Sequence, residues 1–204
     1  MDAQTCIKKL GYVGIISFAT TDQHGHPQVR SISEVHFEDD AIYFYTARGK
    51  NCCRLLLHDG HVQIHALTKY KEMIRLSAVA KPVPDEEQEH WKNLIFEEQP
   101  YLVNVYTGDT RGIGIIFCLR GAQIEYFNLG VRPIDRYYYT LGDAKPEVKG
   151  FEISDECIQC GTCQDNCPQG CIEEGGPYRR KTQHCLHCGN CFEKCPVGAI
   201  IRFD

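Results

Sequence analysis

The sequence lacks any long apolar run, and its positive charge is not concentrated. None of its hydrophobic stretches approaches the roughly 18 residues of a membrane span, so we expect no transmembrane helix. The net charge is −5, and the lysines and arginines are scattered rather than aligned along one face. This pattern argues against a nucleic-acid-binding surface. No G-x-G-x-x-G fingerprint follows a predicted strand, so the sequence does not support direct use of NAD(P)H.

We also expect that the first twenty residues are not a signal peptide. Lys8 and Lys9 precede a short apolar stretch, LGYVGIISFA, but two glycines interrupt this stretch and no small-x-small cleavage site follows it. Cleavage would also remove the start of the first predicted strand. We therefore expect a protein that retains this segment and resides in the cytoplasm.

Cysteine is abundant and unevenly distributed. The chain has 204 residues and 13 cysteines, of which nine lie between positions 157 and 195. The odd number and the close spacing indicate thiolates in a reducing compartment rather than a disulfide framework. The change in composition predicts three segments: a first domain over 1–130, a connector over 131–152 and a second domain over 153–204.

The first domain is predicted to be mainly β. Alternating or β-branched runs predict strands at 12–21, 28–37, 41–47, 61–68, 72–83, 112–120 and 122–129. One helix is predicted between Gly49 and Gly60, and another begins at Asp85 with a capping-box partner at Gln88. Strands this short and numerous close best as a barrel. The connector is predicted to be largely irregular, with at most one strand at 137–140.

The second domain contains an internal repeat. The segments CIQCGTCQDNCPQGCI (157–172) and CLHCGNCFEKCPVGAI (185–200) align at a spacing of 28 residues with eight identities in sixteen positions. Each copy has the form C-x2-C-x2-C-x3-C-P, which is typical of bacterial iron–sulfur proteins. The segment resembles the two-cluster bacterial ferredoxins, which are small α+β domains.

The resemblance implies two 4Fe-4S clusters, each with three ligands from one copy of the repeat and a fourth from the other. One ligand set is Cys157, Cys160, Cys163 and Cys195. The other is Cys185, Cys188, Cys191 and Cys167.

Other interpretations of these residues remain open. Zinc is an alternative metal, although a third cysteine in each loop is superfluous for tetrahedral binding. Cys171 aligns with Ala199 and is predicted to pack in the core rather than to bind iron. His184 and His187 lie beside ligand cysteines, and we expect them to lie near the clusters or at the surface without binding iron.

A basic site is predicted in the first domain. Arg30 offers a fork of donors, Lys50 offers a point charge, and a helix N-terminus near Asn51 offers free N–H groups, which together suit a phosphate. A period of two on the strand at 28–37 places Val29, Val35 and Phe37 on one face, and it places the other face outward, with Arg30, Ile32, Glu34 and His36. Glu34 and His36 have no assigned role.

The stretch VRSISEVHFEDDAIYFYTARGKN resembles the FMN-binding split barrel of the pyridoxamine 5′-phosphate oxidase and nitroimidazole reductase type. The resemblance covers about residues 1–130 and implies a split β-barrel that binds FMN as a homodimer. It also implies flavin contacts from Arg30, Ser31, Ile32, Tyr45, Thr46, Lys50 and Asn51. The substrate-binding C-terminal segment of the oxidases is replaced here by the cysteine repeat, so we do not expect vitamin B6 oxidation.

Three further residues of the first domain could carry redox chemistry. Cys52 and Cys53 lie on a predicted helix beside the phosphate site, but adjacent cysteines form a strained ring, and we expect them to pack in the core. His65 could be a haem ligand, but no partner motif accompanies it. We therefore expect a half-buried strand histidine.

Together these features predict an oxidoreductase in which electrons pass between two 4Fe-4S clusters and FMN, and so reduce or oxidise a small organic substrate. The alternative is an electron carrier between protein partners that performs no chemistry of its own. A deazaflavin or a haem could occupy the barrel instead of FMN. Exposed low-potential clusters favour an oxygen-poor cell.

Overall fold

The computed structural model describes residues 1–147 and 149–203, which form two compact units. Unit 1 contains residues 1–68, 73–124 and 139–145. Unit 2 contains residues 69–72, 125–138 and the chain from 146 onward. These units interleave along the sequence, whereas the predicted division is sequential.

The helices and strands follow one another in chain order. The helices are α1 (Ala3–Val13), α2 (Asn51–His58), α3 (Asp85–Glu98), α4 (Leu102–Val105), α5 (Thr162–Asp165) and α6 (Asn190–Lys194), with 3-10 turns at Gly108–Ile113 and Thr182–His184. The strands are β1 (Ile16–Thr21), β2 (Pro27–Ile32), β3 (Val35–Phe37), β4 (Ile42–Ala47), β5 (His61–Leu67), β6 (Glu72–Val79), β7 (Lys81–Pro82), β8 (Gly114–Leu119), β9 (Ala122–Asn128), β10 (Asp135–Leu141), β11 (Gly150–Ile153), β12 (Ile172–Glu173), β13 (Arg179–Arg180) and β14 (Ile200–Phe203).

Two larger sheets carry most of the strands. A six-stranded sheet has the order β10-β9-β6-β5-β1-β2, and a four-stranded sheet has the order β3-β4-β8-β7. The pairs β1–β2, β1–β5, β5–β6, β3–β4, β4–β8 and β7–β8 are antiparallel. Phe18, Phe44 and Phe117 contribute fully buried rings to the core, with centroids 5.0 and 5.6 Å apart along the series.

Helix α3 covers a second part of the core in unit 1. Its Trp91 ring stacks on Tyr43 at a centroid distance of 3.6 Å, and its Phe96 ring meets Tyr45 edge-on at 5.3 Å. The predicted capping box at Asp85 is wrong. Gln88 instead donates to the carbonyl of Val83 and accepts from the backbone N–H of Ile116, so its side chain ties the start of α3 to β8.

The N-terminus differs from the prediction. Residues 3–13 form α1, because Asp2 caps the helix by accepting from the Thr5 N–H, and Gly14 ends it with φ +75°. The predicted strand at 12–21 therefore begins at Ile16.

The predicted strand at 28–37 breaks at residues 33 and 34, so one period of two does not run through it. Arg30 pairs with Phe18, whose side chain is buried. In an antiparallel pair, opposite residues share a face, so Arg30 and Ile32 lie on the inward face. Ile32 is 6% exposed, whereas Val29 is 70% exposed. The predicted outward orientation of Arg30 and Ile32 was wrong.

The connector at 131–152 is more regular than predicted, because it contains β10 and the start of β11. In unit 2, β11 pairs with β14 and β12 pairs with β13, both antiparallel. Helices α5 and α6 each follow a glycine with positive φ, at Gly161 and Gly189.

Candidate functional site

The two copies of the cysteine repeat follow the same backbone path. Gln159 and His187, which are 28 residues apart, have φ values of +59° and +58°, and Gly161 and Gly189 have φ values of +79° and +80°. Residues other than glycine rarely adopt a positive φ. The shared geometry therefore supports a true structural duplication.

The predicted cysteines line two cavities in unit 2. The first cavity is lined by Cys157, Cys160, Cys163 and Cys195, together with apolar residues such as Ile153 and Tyr178. The second is lined by Cys167, Cys185, Cys188 and Cys191, together with Cys171, Phe151 and Arg180. Of the eight predicted ligands, each cavity thus receives three from one copy and one from the other.

Backbone N–H groups point at several of these sulfur atoms. Ala199 N lies 3.3 Å from Cys195 Sγ, and Cys171 N lies 3.4 Å from Cys167 Sγ at the equivalent position. His187 N lies 3.4 Å from Cys185 Sγ. Such donors stabilise charge on a sulfur atom. The side-chain and backbone hydrogen bonds of Thr162 lower the pKa of the Cys160 thiol in the same way.

The predicted cysteine ligands line cavities and do not converge on a site for one metal ion. Across residues 1–147 and 149–203, no group of three or more His, Cys, Asp or Glu side chains is placed to bind a single metal ion. The eight predicted ligands therefore come together as two cavity linings.

The remaining residues near these cavities are packed. Cys171 is buried as predicted, yet it also lines the second cavity, with its Sγ 3.4 Å from Cys167 Sγ. Hydrogen bonding to Cys185 and burial raise the pKa of the Cys171 thiol. His184 contacts the Ile134 carbonyl through Nδ1 at 2.9 Å. Burial lowers the pKa of His187 to about 4, so its ring is neutral at physiological pH.

Unit 1 brings the predicted phosphate-binding groups near the start of α2. Both terminal nitrogens of Arg30 donate to Thr20 Oγ1 at 3.1 Å, and Nη1 lies 3.3 Å from Cys52 Sγ. Helix α2 has Lys50 at its N-cap, and no side chain caps its first turn. Although burial opposes the shift, hydrogen bonding to Tyr106 raises the pKa of Lys50. Arg30 and Lys50 therefore lie beside a helix N-terminus that no side chain caps.

The other predicted flavin contacts occupy different positions. Tyr45 and Thr46 are buried in β4, and the Tyr45 hydroxyl donates to the Arg111 carbonyl at 3.2 Å. Ser31 is exposed and faces away from Arg30 along β2. The Asn51 side chain is exposed and accepts from Arg54 Nη2 at 2.6 Å. The structure thus groups Arg30, Lys50 and the Asn51 backbone, but it places the Tyr45 hydroxyl in the core.

The other candidate redox residues of unit 1 are buried or half-buried, as the sequence predicted. Cys52 and Cys53 are both buried, and burial raises the pKa of each thiol, for Cys52 in spite of the Arg30 guanidinium. His65 is half-buried on β5, where burial lowers its pKa.

Sequence reasoning missed a large cleft in unit 1. It has a volume of about 1140 Å³ and is lined by residues from the ends of several strands, including Thr20, His61, Lys81, Arg120 and Lys145. These residues are far apart in the sequence and share no motif. Thr20 both lines the cleft and accepts the hydrogen bonds of Arg30, so the cleft adjoins the basic site.

Comparisons with known proteins find relatives of both parts of the chain. Residues 156–199 match the model of a family described as the 4Fe-4S dicluster domain. A segment of 23 residues is 65% identical to the ferredoxin of Megasphaera elsdenii, and it covers 11% of this chain and 43% of that protein. A segment of 62 residues is 32% identical to the pyridoxine/pyridoxamine 5′-phosphate oxidase of Photorhabdus laumondii subsp. laumondii, and it covers 30% of this chain and 29% of that protein. The matches thus span less than half of each of these two proteins.

A solved structure extends the likeness of the fold. A NimC/NimA family protein from Clostridium acetobutylicum superposes with a TM-score of 0.58 at 20% identity, which covers 68% of this chain and 92% of that chain. The chain joins a pyridoxamine 5′-phosphate oxidase-like fold to a 4Fe-4S dicluster domain. The predicted fold class, a mainly β split barrel followed by a small ferredoxin-like domain, is confirmed.

The helices of the described residues are short or polar. None of them is long and apolar enough to cross a membrane.

Proposed function

We propose that this protein is an iron–sulfur flavoprotein oxidoreductase that passes electrons between two 4Fe-4S clusters and FMN, and that it acts on a small organic substrate. Cys157, Cys160, Cys163 and Cys195 would hold one cluster, and Cys185, Cys188, Cys191 and Cys167 would hold the other. Arg30, Lys50 and the first turn of α2 would hold the flavin phosphate.

The main support for the proposal is the arrangement of the cysteines in unit 2. Of the eight predicted ligands, four line each of the two cavities of unit 2, three from one loop and one from the other, which is the crossed pattern of two-cluster ferredoxins. A protein with such centres handles single electrons. The 4Fe-4S dicluster match over residues 156–199 supports the same chemistry.

The residues of unit 1 fit a flavin phosphate. Arg30 donates to Thr20 and lies on the inward face of β2, which fixes its guanidinium instead of leaving it in solvent. The N–H groups of the first turn of α2 lack a side-chain cap, and an anion would satisfy them. Bound FMN would supply the ability to take up electrons singly and release them as a pair.

The chain itself would bind and orient the reactants. Arg30 and Lys50 hold an anion, and the adjoining cleft of about 1140 Å³ has room for a small organic molecule. Burial keeps the thiol of Cys52 protonated beside Arg30, so the guanidinium charge is not neutralised by a thiolate.

The alternative function is that of an electron carrier between proteins. Its support is the exposure of Cys160 and Cys188 in the two cluster loops, together with exposed Ile158 and Val197 at the first cavity. An apolar, accessible surface beside a redox centre suits transient docking of a partner protein. Turnover that requires a partner protein or artificial dyes, and no small molecule, would favour this function over the enzyme.

Several further properties belong to the proposal. A homodimer is proposed because the split-barrel flavoproteins that this chain resembles are dimeric. A reducing cytoplasm in an oxygen-poor cell is proposed because the free thiols and the exposed cluster loops would be oxidised in an oxidising environment.

The decisive experiment is anaerobic purification followed by measurement of iron, acid-labile sulfide, zinc and released flavin per chain. We expect about eight irons, about eight sulfides and one FMN. Zinc in place of iron would overturn the cluster assignment. Iron without flavin would leave the cluster assignment standing and refute the flavin site, and a haem or deazaflavin would appear in the absorption spectrum.

A further inference from the structure

The internal repeat allows the two cavities to be compared position by position. Ile172 and Ile200 are equivalent, because they are 28 residues apart in the repeat. Ile200 pairs with Ile153 in the β11–β14 ladder, and Ile172 pairs with Arg180 in the β12–β13 ladder. Ile153 and Arg180 therefore occupy equivalent places beside the two cavities.

The equivalent residues differ in charge. Ile153 lines the first cavity, and Arg180 lines the second. Among the described residues that line either cavity, Arg180 is the only Arg, Lys, Asp or Glu. The lining of the second cavity thus contains a cation that the lining of the first cavity lacks.

Arg180 lines the second cavity with a buried donor that has no described partner. Its Nε is buried and has no hydrogen-bond partner among the described residues. A buried N–H group is almost always paired in a folded protein, and an orphan indicates an unseen acceptor. The sulfur atoms of a cluster held by Cys185 would supply that acceptor.

Neighbouring groups leave the charge of Arg180 uncompensated. No described carboxylate forms an ion pair with Arg180, whose Nη1 lies 3.5 Å from His187 Nε2. The other cation close to this cavity, Arg136, forms an ion pair with Glu125 and donates to the Cys185 carbonyl at 3.1 Å. Arg180 is therefore the cation that distinguishes the field in the second cavity from that in the first.

We propose that Arg180 makes the cluster in the second cavity easier to reduce than the cluster in the first. This inference rests on the proposed function. Reduction adds one negative charge to a cluster, and a cation in a medium of low dielectric constant stabilises that charge. Hydrogen bonds to the sulfur atoms act in the same direction. An electron delivered to the domain would therefore rest in the second cavity, next to Arg180.

The test is a redox titration of the full-length protein under anaerobic conditions, followed by EPR spectroscopy. The wild-type protein should show two resolved reduction potentials. Arg180→Gln should lower the higher potential and leave the lower one in place. We expect at least a tenfold change in the reduction equilibrium, which is about 59 mV for one electron.

The matched control is Arg179→Gln, which removes the same charge from the neighbouring exposed residue of β13. This variant should leave both potentials nearly unchanged. Two equal potentials in the wild-type protein would overturn the inference, as would a fall of the lower potential in Arg180→Gln. An effect of equal size in Arg179→Gln would overturn it as well.

Iron content separates this inference from the proposed function. A wild-type protein without iron refutes the clusters themselves, whereas eight irons with equal potentials refute only the role of Arg180. If Arg180→Gln retains less iron than the wild-type protein, Ile153→Arg decides the matter. Ile153→Arg should raise the lower reduction potential and so reduce the difference between the two potentials. An unchanged difference would contradict the inference.

Discussion

The ring of Tyr45 on β4 occupies the space that a side chain at Gly114 on β8 would need. A Cβ at position 114 would overlap the ring and the hydroxyl group of Tyr45. The ring also packs against Phe96 and Tyr106, with centroids 5.3 and 4.9 Å away, so it cannot move aside. Glycine at the start of β8 therefore leaves free the space that the Tyr45 ring occupies in the core.

The first prediction concerns this pair. Gly114→Ala should lower the free energy of unfolding by about 1–3 kcal/mol or more, because the added methyl group overpacks a filled core. The control is Gly112→Ala, since nothing lies within 4 Å of a Cβ at Gly112. Thermal unfolding of the two variants measures the difference. Equal melting temperatures would show that the Tyr45 ring can relocate.

The second prediction concerns flavin binding. Arg30→Gln should weaken the affinity for FMN about 10- to 100-fold, because a charge-assisted hydrogen bond to phosphate contributes about 1.5–3 kcal/mol. Iron content should remain at the wild-type level. The measurement is fluorescence titration of the flavin-free protein with FMN. Lys8→Gln, which removes an exposed lysine of α1, is the control. Unchanged affinity in Arg30→Gln would place the phosphate elsewhere.

Much of the fold and of the cluster site could be predicted from the sequence, because both depend on local spacing. The repeat of C-x2-C-x2-C-x3-C-P predicted which cysteines come together, and the structure lines two cavities with those same two sets. The end of α2 just before Gly60 was also predictable, since the φ of +72° at Gly60 favours glycine.

What the sequence did not reveal depends on contacts between distant residues. Arg30 faces inward because β2 pairs with β1, and the break of the strand at 33 and 34 means that the facing of Val35 does not predict that of Arg30. The cleft of unit 1 draws residues from positions 19 to 145. The role of Gln88 depends on β8, which lies 28 residues further along the chain. In each case tertiary pairing overrode a local pattern.

The third prediction concerns pH. Burial, with Arg75 nearby, lowers the pKa of His65 in the folded protein. The unfolded chain therefore binds the proton first as the pH falls, so this contribution to stability is complete above about pH 6.5 and is lost below it. Wild-type protein should lose more of its melting temperature between about pH 7.5 and pH 5 than His65→Gln does. His24→Gln, in the exposed β1–β2 turn, should behave like the wild-type protein. Parallel pH profiles for wild type and His65→Gln would refute this assignment.

The fourth prediction uses the one cysteine by which the two copies of the repeat differ. Cys167 and Cys195 are equivalent, but the residue four positions later is Cys171 in the first copy and Ala199 in the second. Cys171 Sγ lies 3.4 Å from Cys167 Sγ, and Cys171 lines the same cavity. A thiol is therefore already in place beside the second cluster if Cys167 is lost, whereas no such thiol lies beside the first cluster if Cys195 is lost.

Cys167→Ala should accordingly keep close to the wild-type iron content, whereas Cys195→Ala should lose one or more of its irons. The double substitution of Cys167 and Cys171 by Ala should lose iron as Cys195→Ala does. Iron and sulfide analysis with EPR of the reduced proteins measures this difference. Restored iron in Cys195→Ala after the further change Ala199→Cys would show that a thiol at this position is sufficient. Equal iron loss in Cys167→Ala and Cys195→Ala would mean that Cys171 cannot reach the cluster, and its role would then be packing alone.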